Sequence, residues 1–199
     1  MYLTAAVFNQ DVRVIKAGQK FEFRDKNIIV GDQGCGKSTL LQHLGMPDNR
    51  SKVSLFLSAA GQKGVRTFYF DTEHDNPRLK NPLDYYTPMG ESRGIGAGNA
   101  IRSRRQSHGE VLVEFTVNAL RKARDCVIFL DEPESGLSLR NQYKLTKEVD
   151  AAVKRKCQLF VATHCLPLIQ AADMVLSLEH NKWLQADEFI ATQKSNKKG

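Results

Sequence analysis

Apolar and polar positions follow two different rhythms along this chain. Near the start they alternate, in Tyr2-Leu3-Thr4-Ala5-Ala6-Val7-Phe8, Val12-Arg13-Val14-Ile15 and Lys20-Phe21-Glu22-Phe23-Arg24. A period of two lays one face of an extended strand on a core, so three short strands are predicted, with Gly18 and Arg24-Asp25-Lys26-Asn27 supplying turns. Later runs are continuously apolar: Ile28-Ile29-Val30, Cys126-Val127-Ile128-Phe129-Leu130 and Leu159-Phe160-Val161-Ala162. Such runs mark strands buried on both faces, hence the middle of a parallel sheet. Val53-Ser54-Leu55-Phe56-Leu57-Ser58, Val65-Arg66-Thr67-Phe68-Tyr69-Phe70, Met174-Val175-Leu176-Ser177-Leu178-Glu179 and Lys182-Trp183-Leu184-Gln185 read as further strands. Helical spacing predicts helices over residues 38–44, 110–120 and 139–156. Alternating strands and helices predict an α/β fold: a mostly parallel central sheet flanked by helices, plus an N-terminal antiparallel β-region. One domain over residues 1–193 accounts for the pattern, with a proline- and glycine-rich insertion at 76–105 and a basic tail at 194–199.

Composition narrows the class. The 199 residues are 41% hydrophobic and 26% charged, ordinary for a soluble globular protein with a real core. No stretch resembles a signal peptide and no apolar run approaches the ~20 residues of a membrane span, so a cytoplasmic location is expected. Cys35, Cys126, Cys157 and Cys165 lack zinc-ligand spacing and read as free thiols of a reducing compartment. The net charge of +7 comes partly from Lys194, Lys197 and Lys198, a solvated tail. A second cluster, Arg93 and Arg102-Ser103-Arg104-Arg105, permits contact with nucleic acid without showing it.

The most specific chemistry lies in Gly31-Asp32-Gln33-Gly34-Cys35-Gly36-Lys37-Ser38, which fits G-x-x-x-x-G-K-[ST] after a strand and before a helix. Glycines let backbone N–H groups curl around phosphate oxygens, and the outgoing helix adds its positive end. Lys37 is placed to neutralise β- and γ-phosphates and Ser38 to sit on Mg²⁺, with Thr39 completing the stretch. ATP and Mg²⁺ are the ligands this predicts.

The run from Cys126 ends abruptly in Asp131-Glu132. Carboxylates at the end of a buried strand are costly unless they have a partner or a task. Beside a phosphate loop, Asp131 suits Mg²⁺ and Glu132 suits orienting or deprotonating the attacking water. His164 ends another buried strand, adjacent by sheet logic to metal and γ-phosphate. Asp71-Thr72-Glu73-His74-Asp75 closes a strand as well; it orients a metal-bound water or is a plain polar turn. Phe8, Phe21 and Phe23 suit the core better than an adenine ring.

In this order these pieces resemble the ABC-type ATPases, a branch of the P-loop NTPases. Gly31 to Ser38 matches the first nucleotide motif, Val127 to Glu132 the second, and Ala162-Thr163-His164 looks like the switch-histidine strand. Arg105-Gln106-Ser107-His108-Gly109-Glu110 is similar to the S-x-G-[QE] core of the signature, and Pro133-Glu134-Ser135-Gly136-Leu137-Ser138 resembles the segment that crosses the dimer interface. Asp-Glu-Pro-Glu at 131–134 is similar to ATPases related to chromosome-structure and DNA-repair ABC proteins. The resemblance implies a head-to-tail homodimer sandwiching two ATP molecules. Lys37 and Ser38 of one protomer would hold phosphates and metal, and Ser107 and the N–H of Gly109 of the other would cap the γ-phosphate. Glu132 would polarise the water and His164 would sense the γ-phosphate.

Two departures matter. The metal-contacting glutamine of the family is missing, with Glu73 as a substitute, and only residues 76–105 fill the slot where transporter cassettes carry a larger helical insertion. A small ATPase without a membrane subunit follows, acting on DNA or with a nuclease partner. An ATP-dependent clamp or sensor with little turnover is the alternative, and a small-molecule kinase fits the paired carboxylates less well.

Overall fold

The computed structural model describes residues 2–46, 51–71 and 116–195. Two sheets carry the fold. Strands β1 (Leu3–Phe8), β2 (Lys20–Glu22) and β4 (Val53–Leu57) form an antiparallel sheet ordered β2-β1-β4. Six strands form the second: β3 (Lys26–Val30), β5 (Arg66–Asp71), β6 (Cys126–Asp131), β7 (Gln158–Ala162), β8 (Met174–Ser177) and β9 (Lys182–Gln185), ordered β5-β6-β7-β3-β8-β9. All neighbours there are parallel except β8 and β9, which form the hairpin at one edge. The predicted architecture, a mostly parallel sheet plus an N-terminal antiparallel region, is the one observed.

Period-two alternation divides the core between the faces of the large sheet. Ile28, Val30, Ile128, Leu130, Leu159 and Val161 pack on one side. That side is covered by helical residues 116–122, α3 (Leu139–Lys154), α4 (Leu166–Gln170) and α5 (Ala186–Ser195). Ile29, Val127, Phe129, Phe160 and Ala162 pack on the other, against α1 (Lys37–Gly45) and the small sheet. Phe129 stacks on Phe160 at 4.8 Å, and Phe23 meets Phe160 edge-on at 5.0 Å. Phe8, Phe21 and Phe23 are all core residues, as expected.

Two buried amides fasten the amino ends of β3 and β7, and that of Gln158 joins the two sheets. Gln158 Oε1 accepts from the N–H groups of Tyr2 (2.9 Å) and Leu3 (2.7 Å), while its Nε2 donates to Leu3 O (2.7 Å) and Arg24 O (2.9 Å). Asn27 accepts from Arg24 N and donates to Arg24 O and Leu159 O.

Several boundaries differ from the sequence reading. Val12–Ile15 is not a strand but a tight turn closed by reciprocal backbone bonds of 2.8 and 3.0 Å, with Arg13 at φ 53°. Val12 and Ile15 bond to each other, so the alternation belongs to a hairpin tip with no neighbouring strand to join among the described residues. The linker 59–64 contains a short helix, α2 (Ala59–Gln62), whose Ser58 cap accepts from Gly61 N. Helix α4, with Pro167 in its first turn, was not foreseen, nor was α5. The latter runs through Ser195, so residues 194 and 195 are helix rather than tail. Of the helix expected over 110–120, residues 116–122 are helical and the earlier part lies outside the described residues. Residues 76–105 and 196–199 also lie outside them.

Candidate nucleotide site

Parallel register brings the carboxyl ends of four strands to one edge. Asp71 pairs with Asp131, Asp131 with Ala162, and Ile29 with Ala162. The segments beyond Val30, Asp71, Asp131 and Ala162 therefore leave the sheet side by side, the usual ligand edge of an open α/β sheet. Sequence positions 31–39, 71, 131–132 and 164 converge there.

The loop from Gly31 to Gly36 reverses between β3 and α1. Gly36 caps the helix at φ 102°, and a β-carbon there would lie 2.8 Å from Val14 Cγ2, so only glycine fits. No side chain caps the first turn of α1, which leaves its N–H groups for an anion. Lys37 is buried and donates to the carbonyls of Gly31 (2.9 Å) and Asp32 (3.0 Å), so its ammonium lies across its own loop. Cys35 tucks under the loop towards Gly31, and burial pushes its thiol up. Asp32, Gln33 and Gly34 lie on the outer curve, exposed. Thr39 is buried in the first turn of α1, where its carbonyl contacts His43 Nδ1 at 2.9 Å.

Next to the loop, Ser38 Oγ donates to Asp131 Oδ1 at 3.0 Å, and Tyr69 Oη donates to Oδ2 at 3.3 Å. Burial is the main reason the Asp131 carboxyl is pushed up to about 6; the Ser38 hydrogen bond opposes this and the nearby Asp71 carboxylate adds to it. A buried carboxylate held by a serine hydroxyl and a phenol is a set of hard oxygen donors, suited to Mg²⁺. Among the described residues no group of three or more His, Cys, Asp or Glu gathers to hold a metal alone, so a cation here would draw further oxygens from phosphate and water.

Glu132 has φ 45°, a left-handed backbone uncommon outside glycine and associated with functional sites. Its N–H bonds to Ala162 O at 3.0 Å, and Ser135 N returns to its carbonyl at 3.0 Å. This aims the carboxylate at the end of β7, where Oε1 lies 3.9 Å from His164 Nε2 with both side chains about half exposed. The His164 side of the loop opens into a cleft of about 520 Å³ bounded by Gly31, Asp32, Leu166, Ile169 and Phe189.

Ser107, Gly109, Glu73 and Arg102 to Arg105 lie outside the described residues. Three contributors were not assigned roles from sequence. Tyr69, two residues before the end of β5, reaches Asp131, and Glu179 Oε1 accepts from the loop amide of Asp32 at 2.6 Å. Glu134 binds the residues around His164. Of these, only Glu134 carried a local signal, as the fourth residue of Asp-Glu-Pro-Glu.

No protein-family model and no curated protein matches the sequence. Solved structures do match in fold. The chain aligns over its whole length with 94% of cbiO1 from Clostridium perfringens, part of the ABC transporter complex cbiONQ, at a TM-score of 0.57 and 16% identity. A dimeric structure of MJ0796, a bacterial ABC transporter cassette, matches at 0.58 and 14% identity over 88% of this chain and 93% of that one. MJ0796 in a dimeric post-hydrolysis state with ADP and Pi matches at 0.57 and 14% over 93% and 98%. At such identities the likeness establishes an ATP-binding cassette fold.

Proposed function

We propose that this chain is a Mg²⁺-dependent ATPase that closes as a head-to-tail homodimer around ATP. The observation that carries this reading is the convergence of Lys37, the Ser38–Asp131 pair and the Glu132–His164 pair on one sheet edge. The dimeric and ADP-bound states of MJ0796 support it by analogy of fold.

The amides of residues 31–37 and the N-terminal end of α1 receive the phosphates, and Lys37 exchanges its two carbonyl partners for phosphate oxygens. Ser38 and Asp131 would hold Mg²⁺, which would supply neutralisation of the phosphate charge. Glu132 orients a water and takes up its proton, its half-exposed carboxylate lying 3.9 Å from His164 Nε2. His164 donates towards the charge developing on the γ-phosphate. In the closed dimer, Ser107 and the N–H of Gly109 of the second copy complete the site.

A DNA or nuclease partner rests on Arg102 to Arg105 and on the likeness of Asp131-Glu132-Pro133-Glu134 to ATPases related to DNA-repair proteins. The matching folds are transporter cassettes, so a membrane subunit is the competing partner, and salt-dependent DNA binding with and without ATP separates the two. No described helix is long and apolar enough to cross a membrane.

Size-exclusion measurements test the core of the proposal. Glu132→Gln should bind ATP and run as a stable dimer, while Lys37→Ala should lose ATP binding by at least about 100-fold and stay monomeric with ATP. A Glu132→Gln protein that binds ATP yet remains a monomer removes the sandwich.

A further inference from the structure

Glu134 lies two residues beyond Glu132 and has no part in the chemistry above. Its side chain nevertheless crosses from the end of β6 to the end of β7. Oε1 accepts from the Thr163 hydroxyl at 2.6 Å and from the His164 backbone N–H at 2.8 Å. Thr163 Oγ1 in turn accepts from Cys165 N at 2.9 Å. One carboxylate oxygen thus fastens three consecutive residues centred on His164. Its own end is equally fixed, because Leu137 N bonds to Glu134 O at 2.9 Å within the turn that holds Glu132 at φ 45°.

Fastening of this kind is costly. Oε2 is buried without a hydrogen-bond partner, and burial raises the carboxyl's pKa. The bonds of Oε1 offset that cost, and without them the Thr163 hydroxyl and the His164 N–H lose their acceptor. What the carboxylate adds is geometry. Glu132 and His164 stand on separate segments, and Glu134, two residues after Glu132, is a side-chain tie from that turn to Thr163 and the N–H of His164.

We propose that Glu134 is a positioning residue that fixes the backbone of residues 163–165 and thereby sets the placement of His164 relative to Glu132. This deepens the ATPase reading and rests on it. Catalytic groups displaced by about 1 Å commonly lose one to two orders of magnitude in rate without losing binding.

The test separates the two claims by measuring ATP affinity and single-turnover hydrolysis on the full chain. Glu134→Ala should lower turnover about 10- to 30-fold with ATP affinity within about twofold of the parent. Glu134→Gln retains an oxygen able to accept both bonds and should recover turnover to within about threefold of the parent. Thr163→Val removes one of the two bonds and should lower turnover about threefold or more, and adding it to Glu134→Ala should cost little further. Unchanged turnover in Glu134→Ala, or a glutamine variant as slow as the alanine one, overturns the proposal while leaving the ATPase reading intact. If Glu134→Ala does not fold, Thr163→Val decides in its place: full turnover there overturns it. A parent protein that binds no ATP, or binds it without hydrolysis, overturns the broader reading and this one with it.

Discussion

The two ends of the parallel sheet are built on opposite principles. At the amino ends of β3 and β7, Asn27 and Gln158 are completely buried and every polar atom of their amides has a partner. At the carboxyl ends, about five residues away, Asp131 carries a carboxyl pushed up to about 6, Glu134 Oε2 has no hydrogen-bond partner, and Glu132 has a left-handed backbone. One end is satisfied and holds the sheets together. The other stores unfavourable terms, the pattern expected of a site prepared for a ligand.

Replacing a group at the strained end should therefore raise stability while removing function. Asp131→Asn keeps an acceptor for Ser38 and loses the charge. Turnover with Mg²⁺ and ATP should fall at least about 100-fold. In metal-free buffer the variant should be about 1–2 kcal/mol more stable than the parent at pH 7.5, after discounting for solvent screening. The sign follows from linkage: a carboxyl with a folded pKa near 6, above its ordinary 3.8, makes the folded state bind more protons, so parental stability falls as pH rises between those values. The gap between variant and parent should open from about pH 4 to pH 6 and then level off. Urea titrations across pH measure it, and equal stability at every pH contradicts the comparison. Mg²⁺ binding should weaken below about pH 6, where protons compete for Asp131.

At the satisfied end the same logic runs in reverse. Gln158→Ala strands the N–H groups of Tyr2 and Leu3 and the carbonyls of Leu3 and Arg24 in a buried seam. A loss of about 3 kcal/mol is expected in urea unfolding, with ATP affinity of the folded fraction within about twofold. A large loss of affinity at equal stability would show the two ends to be coupled.

What could be read from the sequence divides along similar lines. Ile28-Ile29-Val30, Cys126–Asp131 and Gln158–Ala162 announced themselves as central strands because burial on both faces demands unbroken apolar runs. The stretch Gly31 to Ser38 and Asp131-Glu132 stand out as a candidate site because their chemistry is packed into consecutive residues. Contacts between distant segments were not. The bonds of Gln158 to the first strand, of Glu134 to Thr163 and of Glu179 to Asp32 span 155, 29 and 147 residues, and no local pattern encodes them. Val12–Ile15 shows the opposite failure: its alternation was real, yet a four-residue period cannot distinguish a strand from the tip of a hairpin.

Glu179 offers the finest adjustment of the contrast, since it brings a carboxylate from the loop after β8 to the Asp32 amide, at the mouth of the anion site. Its hydrogen bond steadies the loop, while its charge repels an incoming triphosphate. Glu179→Gln keeps an acceptor for the Asp32 N–H and deletes the charge, so loop shape should persist and repulsion should go. ATP should bind about threefold tighter at low salt, and the gain should shrink as ionic strength rises and the Debye length falls below about 8 Å. Glu179→Ala removes both effects and should bind ATP no more tightly than Glu179→Gln. A glutamine variant that binds ATP more weakly than the parent would mean that the carboxylate serves the loop's shape more than it opposes the phosphate.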